Sequence, residues 1–270
     1  TPFKMKLYYE SPVGGNAARW NGNISEWEWQ HGTSSATMYG FTYDGVNRLT
    51  ASTRKQKSGT SWVALTAGYL ERGITYDRNG NIKTLQRTAG SATMVDNLSY
   101  TYTGNQLTTL TENVSGTPTG DIYVRGSTAA TGTYIYDKNG NMINDSRRAL
   151  NFSYNVLNLP TGVTFASGGF IQYGYTADGI KRRMMYKEAD GSGNPVPTVY
   201  CCNVVYENGV AKLLLTEEGY VTLSDKKYHY YLQDHQGNNR VVLSSSGAVE
   251  EANHYYPFGG VFASTGNVQP

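Results

Sequence analysis

Along most of this chain, apolar, β-branched and aromatic residues alternate with polar ones for four to seven places and are then interrupted by Gly, Asn, Asp or Thr. A period of two in short runs predicts β-strands separated by turns. Gly73-Ile74-Thr75-Tyr76 and Gly132-Thr133-Tyr134-Ile135-Tyr136 read as strands, and the chain resumes the sheet at Ile82-Lys83-Thr84-Leu85 and Met142-Ile143-Asn144. Between them stand Asp77-Arg78-Asn79-Gly80-Asn81 and Asp137-Lys138-Asn139-Gly140-Asn141. An Asp at a turn entrance accepts from backbone N–H groups two residues on, and an Asn-Gly step supplies positive φ at small steric cost. Each unit therefore predicts strand, tight turn, strand. No window, 177–186 included, carries an apolar period of 3.6, so no helix is expected. The Thr-, Gly- and Ser-rich stretches 86–97 and 110–132 read as long turns and 191–197 as an exposed turn, whereas 198–215 and 228–243 read as longer strand runs.

The unit recurs. Tyr43-Asp44-Gly45-Val46-Asn47-Arg48-Leu49, the Tyr76-Asp77 unit and the Tyr136-Asp137 unit share Tyr-Asp first, Asn at the fifth or sixth place and an aliphatic residue at the seventh. Looser copies begin at Tyr102, Tyr154 and Tyr175, and Asn21-Gly22-Asn23-Ile24 repeats the turn alone. These anchors fit a basic unit of about 20 residues with insertions rather than a strict period. The fold expected is all-β, a repetitive antiparallel β-hairpin array, with 1–190 as the array proper and 191–270 as its continuation.

Composition then excludes several classes of function. Charged residues are 16% of the chain, against about 25% in ordinary globular proteins, and the net charge is only +2. That gives no electrostatic footprint for nucleic acid. An aromatic content of 13% argues against disorder, and no run of about 18 apolar residues exists to make a spanning helix. The start at Thr1-Pro2-Phe3-Lys4, without an initiator Met or a signal core, reads as a segment of a longer chain. Cys201 and Cys202 are the only cysteines and read as ordinary strand residues, and with four scattered His they make no zinc set.

With its Tyr-Asp-x-x-Gly-Asn units, the chain resembles the YD-repeat, or Rhs-repeat, proteins over nearly its whole length. The most specific stretch runs from Tyr228 through Asp234-His235-Gln236-Gly237-Asn238-Asn239-Arg240, followed by His254-Tyr255-Tyr256-Pro257-Phe258-Gly259. It looks like the start of the Rhs repeat-associated core region in its bacterial surface-protein version, as does Val205-Tyr206-Glu207-Asn208-Gly209. The resemblance implies a strand ribbon curving or spiralling into a hollow β-shell around a C-terminal toxin domain. In that family the shell belongs to bacterial Rhs effectors and to the C component of insecticidal toxin complexes. It implies a secreted or cell-surface protein whose partners are that toxin domain and flanking shell segments. Independently, exposed edges at both ends of so short an array predict self-association through them. In the family the core region ends in an Asp-Pro-x-Gly type element tied to autoproteolytic release. No Asp-Pro step occurs here, so no catalytic residue is carried over, and neither cofactor nor metal is expected.

Structural roles are expected for Tyr43, Asp44, Tyr76, Asp77, Gly80, Tyr136, Asp137, Gly140, Tyr154, Asp234, His235, Gly237, Arg240, Pro257 and Gly259. Asp234-His235 as an acid/base pair, or Glu26 and Glu28 with His31, is the weaker reading. Adjacent strand residues face opposite ways, and no nucleophile elbow is present. The Asp44, Asp77, Asp137 series lacks calcium-loop spacing and reads as turn capping. Arg147-Arg148 and Lys181-Arg182-Arg183 read as solvated faces or partner contacts. Trp20, Trp27 and Trp29 form a candidate aromatic platform for a sugar or peptide, which supports an alternative function as a surface adhesin or glycan-binding module.

Overall fold

The computed structural model describes residues 1–65, 68–91, 93–114 and 131–266; most of the stretch read as a long turn at 110–132 lies outside them. Among the described residues there are 23 strands and no helix, and the pairings are antiparallel. No helix is long and apolar enough to cross a membrane. The chain divides into two units, one built by Thr1–Tyr100 with the strands from Tyr231 onward, the other by Thr101–Thr111 with the strands up to Tyr230. Position 190/191, the expected change of region, falls inside the second unit, in the turn between the paired strands Lys181–Lys187 and Val196–Cys201.

The first unit contains a five-stranded sheet in the order Phe3–Tyr8, Glu26–His31, Thr37–Tyr43, Leu49–Ser58, Ser61–Leu65. Glu26-Trp27-Glu28-Trp29 alternates across it, with Trp27 opposite Leu7 and Tyr39 and Trp29 opposite Met5 and Thr37. The tryptophan face packs with Phe3, Tyr39 and Phe41 against Leu70 and Val241 to form the core. Glu26 on the other face is also fully buried, because the preceding loop folds over it. Its carboxylate accepts the N–H groups of Val13, Gly14 and Asn16 at 2.7, 2.8 and 2.9 Å.

One hairpin geometry serves most units. The N–H of Asp77 donates to the carbonyl of Asn81 at 3.0 Å, and the N–H of Gly80 donates back to Asp77 at 3.3 Å. Gly80 has φ +90°, and the register slips by one residue just before Tyr76. This is a three-residue loop of a type I turn closed by a left-handed residue in a bulge. The same pair of bonds joins Asp44 with Arg48 and Asn47, Asp137 with Asn141 and Gly140, Asn155 with Leu159 and Asn158, and Asp234 with Asn238 and Gly237. The Asn-Gly step supplies the positive φ through its Gly, and the Asn need not share it. It does not at Asn79 or Asn139, since this loop needs only its fourth residue there.

The first residue of each turn supplies the cap. Asp77 Oδ1 accepts from Asn79 N and Asn81 N at 2.8 and 2.9 Å, while Oδ2 accepts from Asn81 Nδ2 at 2.8 Å. Asp137 repeats the set with Asn139 and Asn141, each at 2.9 Å. In the looser copies Asn155 Oδ1 accepts from Leu157 N and Leu159 N, and Thr176 Oγ1 accepts from Ile180 N. A neutral oxygen thus suffices, and no cation is needed to explain the aspartates.

Where a Tyr precedes the cap, it ties the hairpin to an earlier strand. Tyr76 donates its hydroxyl to Leu49 O at 2.6 Å, Tyr154 to Met142 O at 2.7 Å and Tyr175 to Pro160 O at 2.8 Å. Each acceptor is the seventh position of the preceding Tyr unit in its series. Tyr43, Tyr136 and Tyr255 make the corresponding bonds to Ile24, Leu107 and Asn239. Where the left-handed position is Asn rather than Gly, a second tie appears between turns. Asn158 (φ +57°) accepts from Asn139 Nδ2 and Asn141 Nδ2 at 3.1 and 2.8 Å, and Asn47 (φ +69°) accepts likewise from Asn21 and Asn23 at 2.6 and 3.2 Å.

Three local expectations change. Residues 86–97 are mostly strand, in Ile82–Thr88 and Met94–Thr103, because their Thr and Asn residues sit in paired positions. The run 198–215 is cut by two-residue turns at 202–203 and 208–209, and 228–243 is cut by the Asp234 turn. Cys202 is a turn residue rather than a strand residue, with φ +51°.

Removing the Tyr154 hydroxyl (Tyr154→Phe) is expected to destabilise the chain by about 1 kcal/mol, the net worth of one such bond. The readout is a lower urea midpoint at unchanged slope. Asp137→Ala is expected to lower the midpoint and Asp137→Asn to restore most of it; equal midpoints for Asp137→Ala and the parent would remove the cap from the account.

Candidate functional site: an aromatic cage around Arg240

The strand Asn239–Ser244 begins one residue after the Asp234 turn and carries Arg240 directly into the core of the first unit. Arg240 is wholly buried, its guanidinium carbon lying 4.8 Å from the Trp27 ring centre, 5.1 Å from Trp29, 5.2 Å from Tyr255 and 5.7 Å from Phe3. None of its nitrogens finds a hydrogen-bond acceptor among the described residues. Its nearest anion, Asp234 Oδ2, is 3.9 Å away and already receives Asn238 Nδ2. Burial pulls the guanidinium down to about 10 from its ordinary range, with Asp234 opposing that shift. A desolvated cation over an aromatic face gains up to about 2 kcal/mol per favourable contact. Four faces together offset a desolvation of several kcal/mol.

Beside the cage lie two imidazoles. His31, at the end of its strand, stacks on His254 with ring centres 4.4 Å apart and planes 12° from parallel. Trp29 Nε1 donates to His254 Nδ1 at 3.3 Å, while both nitrogens of His31 are buried without a partner among the described residues. Burial pushes His31 down to about 4, with Arg240 adding to the effect. His254 falls to about 3 through burial, then through His31, Arg240 and Arg54. Both rings are therefore neutral near pH 7.

A second buried network holds the last hairpin. The turn Tyr256-Pro257-Phe258-Gly259-Gly260 has the same two backbone bonds and a left-handed Gly259 (φ +88°), but its first residue has no carboxylate. Glu71 replaces it, accepting the Phe258 N–H at 2.8 Å. Glu71 also receives Arg87 Nε at 3.0 Å, and Arg87 reaches Asp96 at 3.1 Å, all three side chains being buried. Burial raises the Glu71 carboxyl above its usual range against the pull of Phe258 N–H and Arg87. Tyr256 donates to Thr88 O at 2.8 Å from a fully buried position.

The structure places the sequence candidates as follows. Tyr43, Tyr76, Tyr136 and Tyr154 tie strands; Asp44, Asp77, Asp137 and Asp234 cap turns; Gly80, Gly140, Gly237 and Gly259 take positive φ; Pro257 is the second residue of its turn. His235 is exposed and sets its ring edge-on to Trp27 at 5.0 Å, while Asp234 is buried and accepts from Gln236 N and Asn238 N. Glu28 accepts the Tyr8 hydroxyl at 2.6 Å on the face opposite His31. Of the proposed platform, only Trp20 is open, at 81% exposure. Trp27 and Trp29 are 2% and 1% exposed, under Arg240 and His235, and cannot offer a face to a sugar. Arg147 is buried rather than solvated, whereas Lys181, Arg182 and Arg183 are exposed. Among the described residues no group of three His, Cys, Asp or Glu is placed to hold a metal ion. The sequence reading missed Glu71, His254 and the buried state of Arg240. An Arg two residues beyond an Asn-rich turn gives no local sign of its cage, which is assembled from distant strands.

No protein-family model matches the chain, and no curated protein matches it. Among solved structures it is similar over 98% of its length to a chain in the crystal structure of TcdB2-TccC3-TEV, at 14% identity and a TM-score of 0.38. A chain of the Photorhabdus luminescens Tc holotoxin pore gives the same identity, TM-score and coverage, and this chain spans 17% of the length of each. A porin-like protein from Bacteroides uniformis is similar at 11% identity and a TM-score of 0.28, with 97% of this chain covering 93% of that one.

Two outcomes are expected at the cage. The unfolded imidazoles take up protons below about pH 6.5 and the folded ones only near pH 4 and pH 3. Stability should therefore fall as pH drops through that window. Urea midpoints of the parent should decline between pH 6.5 and 4 more steeply than those of His31→Phe; parallel curves would show that the pair is not the cause. Arg240→Lys should destabilise by at least about 1 kcal/mol, because a compact ammonium cannot stack on four rings; a midpoint equal to the parent's would count against the cage.

Proposed function

We propose that the chain is a structural, non-enzymatic shell segment of a bacterial Rhs/YD-repeat protein, secreted or displayed at the cell surface, that encloses or presents a C-terminal toxin domain. One observation carries the reading. Both residues of the Tyr-Asp motif are engaged in assembly: the Tyr hydroxyl ties its hairpin to an earlier strand and the Asp carboxylate caps its own turn. A motif repeated for that purpose extends a sheet and leaves none of its own groups for chemistry. The Asp234 to Gly259 stretch that resembles the Rhs core follows the same logic, with Arg240 and Glu71 fastening it inside the first unit. The adhesin alternative loses its main support, since two of its three tryptophans are core residues.

The test uses the natural gene product that contains this chain. Under limited proteolysis, the polypeptide following the segment should survive while the segment is folded. It should become cleavable when Tyr76→Phe, Tyr136→Phe and Tyr154→Phe are combined. Equal cleavage of that polypeptide in both proteins would refute enclosure.

A further inference from the structure

The two thiols of this chain are placed where cysteine is least expected. Cysteine is among the residue types most often buried, yet Cys201 and Cys202 are both free and both exposed, side by side at one hairpin tip. Cys201 ends the strand Val196–Cys201 and pairs with Val204; the two-residue turn between them is Cys202-Asn203. Cys202 holds a left-handed backbone, φ +51°. The following turn, between Val204–Glu207 and Val210–Leu215, shows what a left-handed turn position readily takes, with Asn208 at φ +50° and Gly209 at φ +78°. A side chain other than Gly or Asn in that region is strained by about 1 kcal/mol or more, so Cys202 serves the turn poorly.

Strand alternation does not fix these two side chains on opposite faces, because Cys202 lies in the turn. Along a strand, neighbouring side chains point to opposite faces, but that alternation ends at Cys201, where the turn begins. The tip is held in place: Leu215 N donates to Asn203 O at 2.7 Å, and Asn203 Nδ2 donates to Leu215 O at 3.1 Å. A disulfide between adjacent residues demands a short S–S bond and strained geometry. A larger atom bridging two sulfurs demands less. Thiolates select soft centres, and no third protein ligand is grouped with this pair among the described residues. The fitting centre is therefore one satisfied by two or three donors.

We propose that Cys201 and Cys202 form a bidentate dithiolate site for a soft, low-coordinate thiophilic centre, such as a monovalent copper ion or a trivalent arsenical. With an arsenical bearing two hydroxyls, two As–S bonds form and two As–O bonds break, and the two hydroxyls leave as water with the two thiol protons. With the copper ion, each thiol loses its proton to solvent as its sulfur binds. This site is independent of the shell reading and stands or falls without it.

The experiment titrates the reduced chain, kept anaerobic with a phosphine reductant, with phenylarsine oxide, and in parallel with monovalent copper against a chromogenic chelator. Intact mass and a thiol-specific colour reagent give the stoichiometry. One equivalent of either probe should block both thiols together, and Cys201→Ser or Cys202→Ser should each weaken binding by about 100-fold or more, the loss of a chelate's effective concentration. Cys202→Asn, which suits the turn, should show the same weakening with unchanged β-sheet circular dichroism, separating loss of the ligand from loss of the fold. The proposal is overturned if the parent takes neither probe, if each thiol takes its own arsenical, if one probe bridges two chains, or if the single variants bind as tightly as the parent.

Discussion

A single side-chain oxygen at the entrance of a turn, accepting two backbone N–H groups, is what the rest of this structure depends on. At Asp77, Asp137 and Asp234 that oxygen fixes the second and fourth residues after it, so the loop closes with one left-handed residue and a bulge. At Asp77 and Asp137 the bulge shifts the register by one place just before the Tyr. The Tyr is delivered by that shift to the carbonyl of an earlier strand. Capping, register and strand-to-strand attachment are thus one event, and none of them requires a large hydrophobic core. This is how a chain with only 16% charged residues, and with Gly and Asn in abundance, builds sheet after sheet.

The first unit departs from that economy. There the hairpins close over a dense aromatic core, and the groups that would ordinarily be exposed are taken inside: Arg240 between four rings, His31 on His254, Glu71 with Arg87 and Asp96. Arg240, His31 and Glu71 are each held by a group far away in sequence, whereas Arg87 joins neighbouring strands. The two styles share one turn geometry, as the 256–260 hairpin shows by borrowing its missing carboxylate from Glu71.

The hairpin array was legible in the sequence because its determinants are local. Asp77, Gly80 and the alternating residues before them lie within one turn of each other, and their bonds follow from spacing alone. The interior was not. Trp27 and Trp29 alternate with Glu26 and Glu28 on the two faces of one strand, but nothing in that alternation shows the loop that folds over Glu26 and buries its carboxylate as well. Nothing near Arg240 announces four rings, because Phe3, Trp27 and Trp29 come from the other end of the chain. Residues 86–97 were misread for a related reason: Thr and Asn look like turn formers in isolation, and only their cross-strand partners make them strand.

The borrowed cap on the 256–260 turn makes that turn conditional. A hairpin with its own Asp carries every group its turn needs, whereas Phe258 takes its acceptor from a strand 187 residues away. Its geometry is therefore complete only where the Glu71 strand is in place. Through Glu71 the 256–260 turn carries a dependence that the self-capped turns lack, on a strand far from it along the chain.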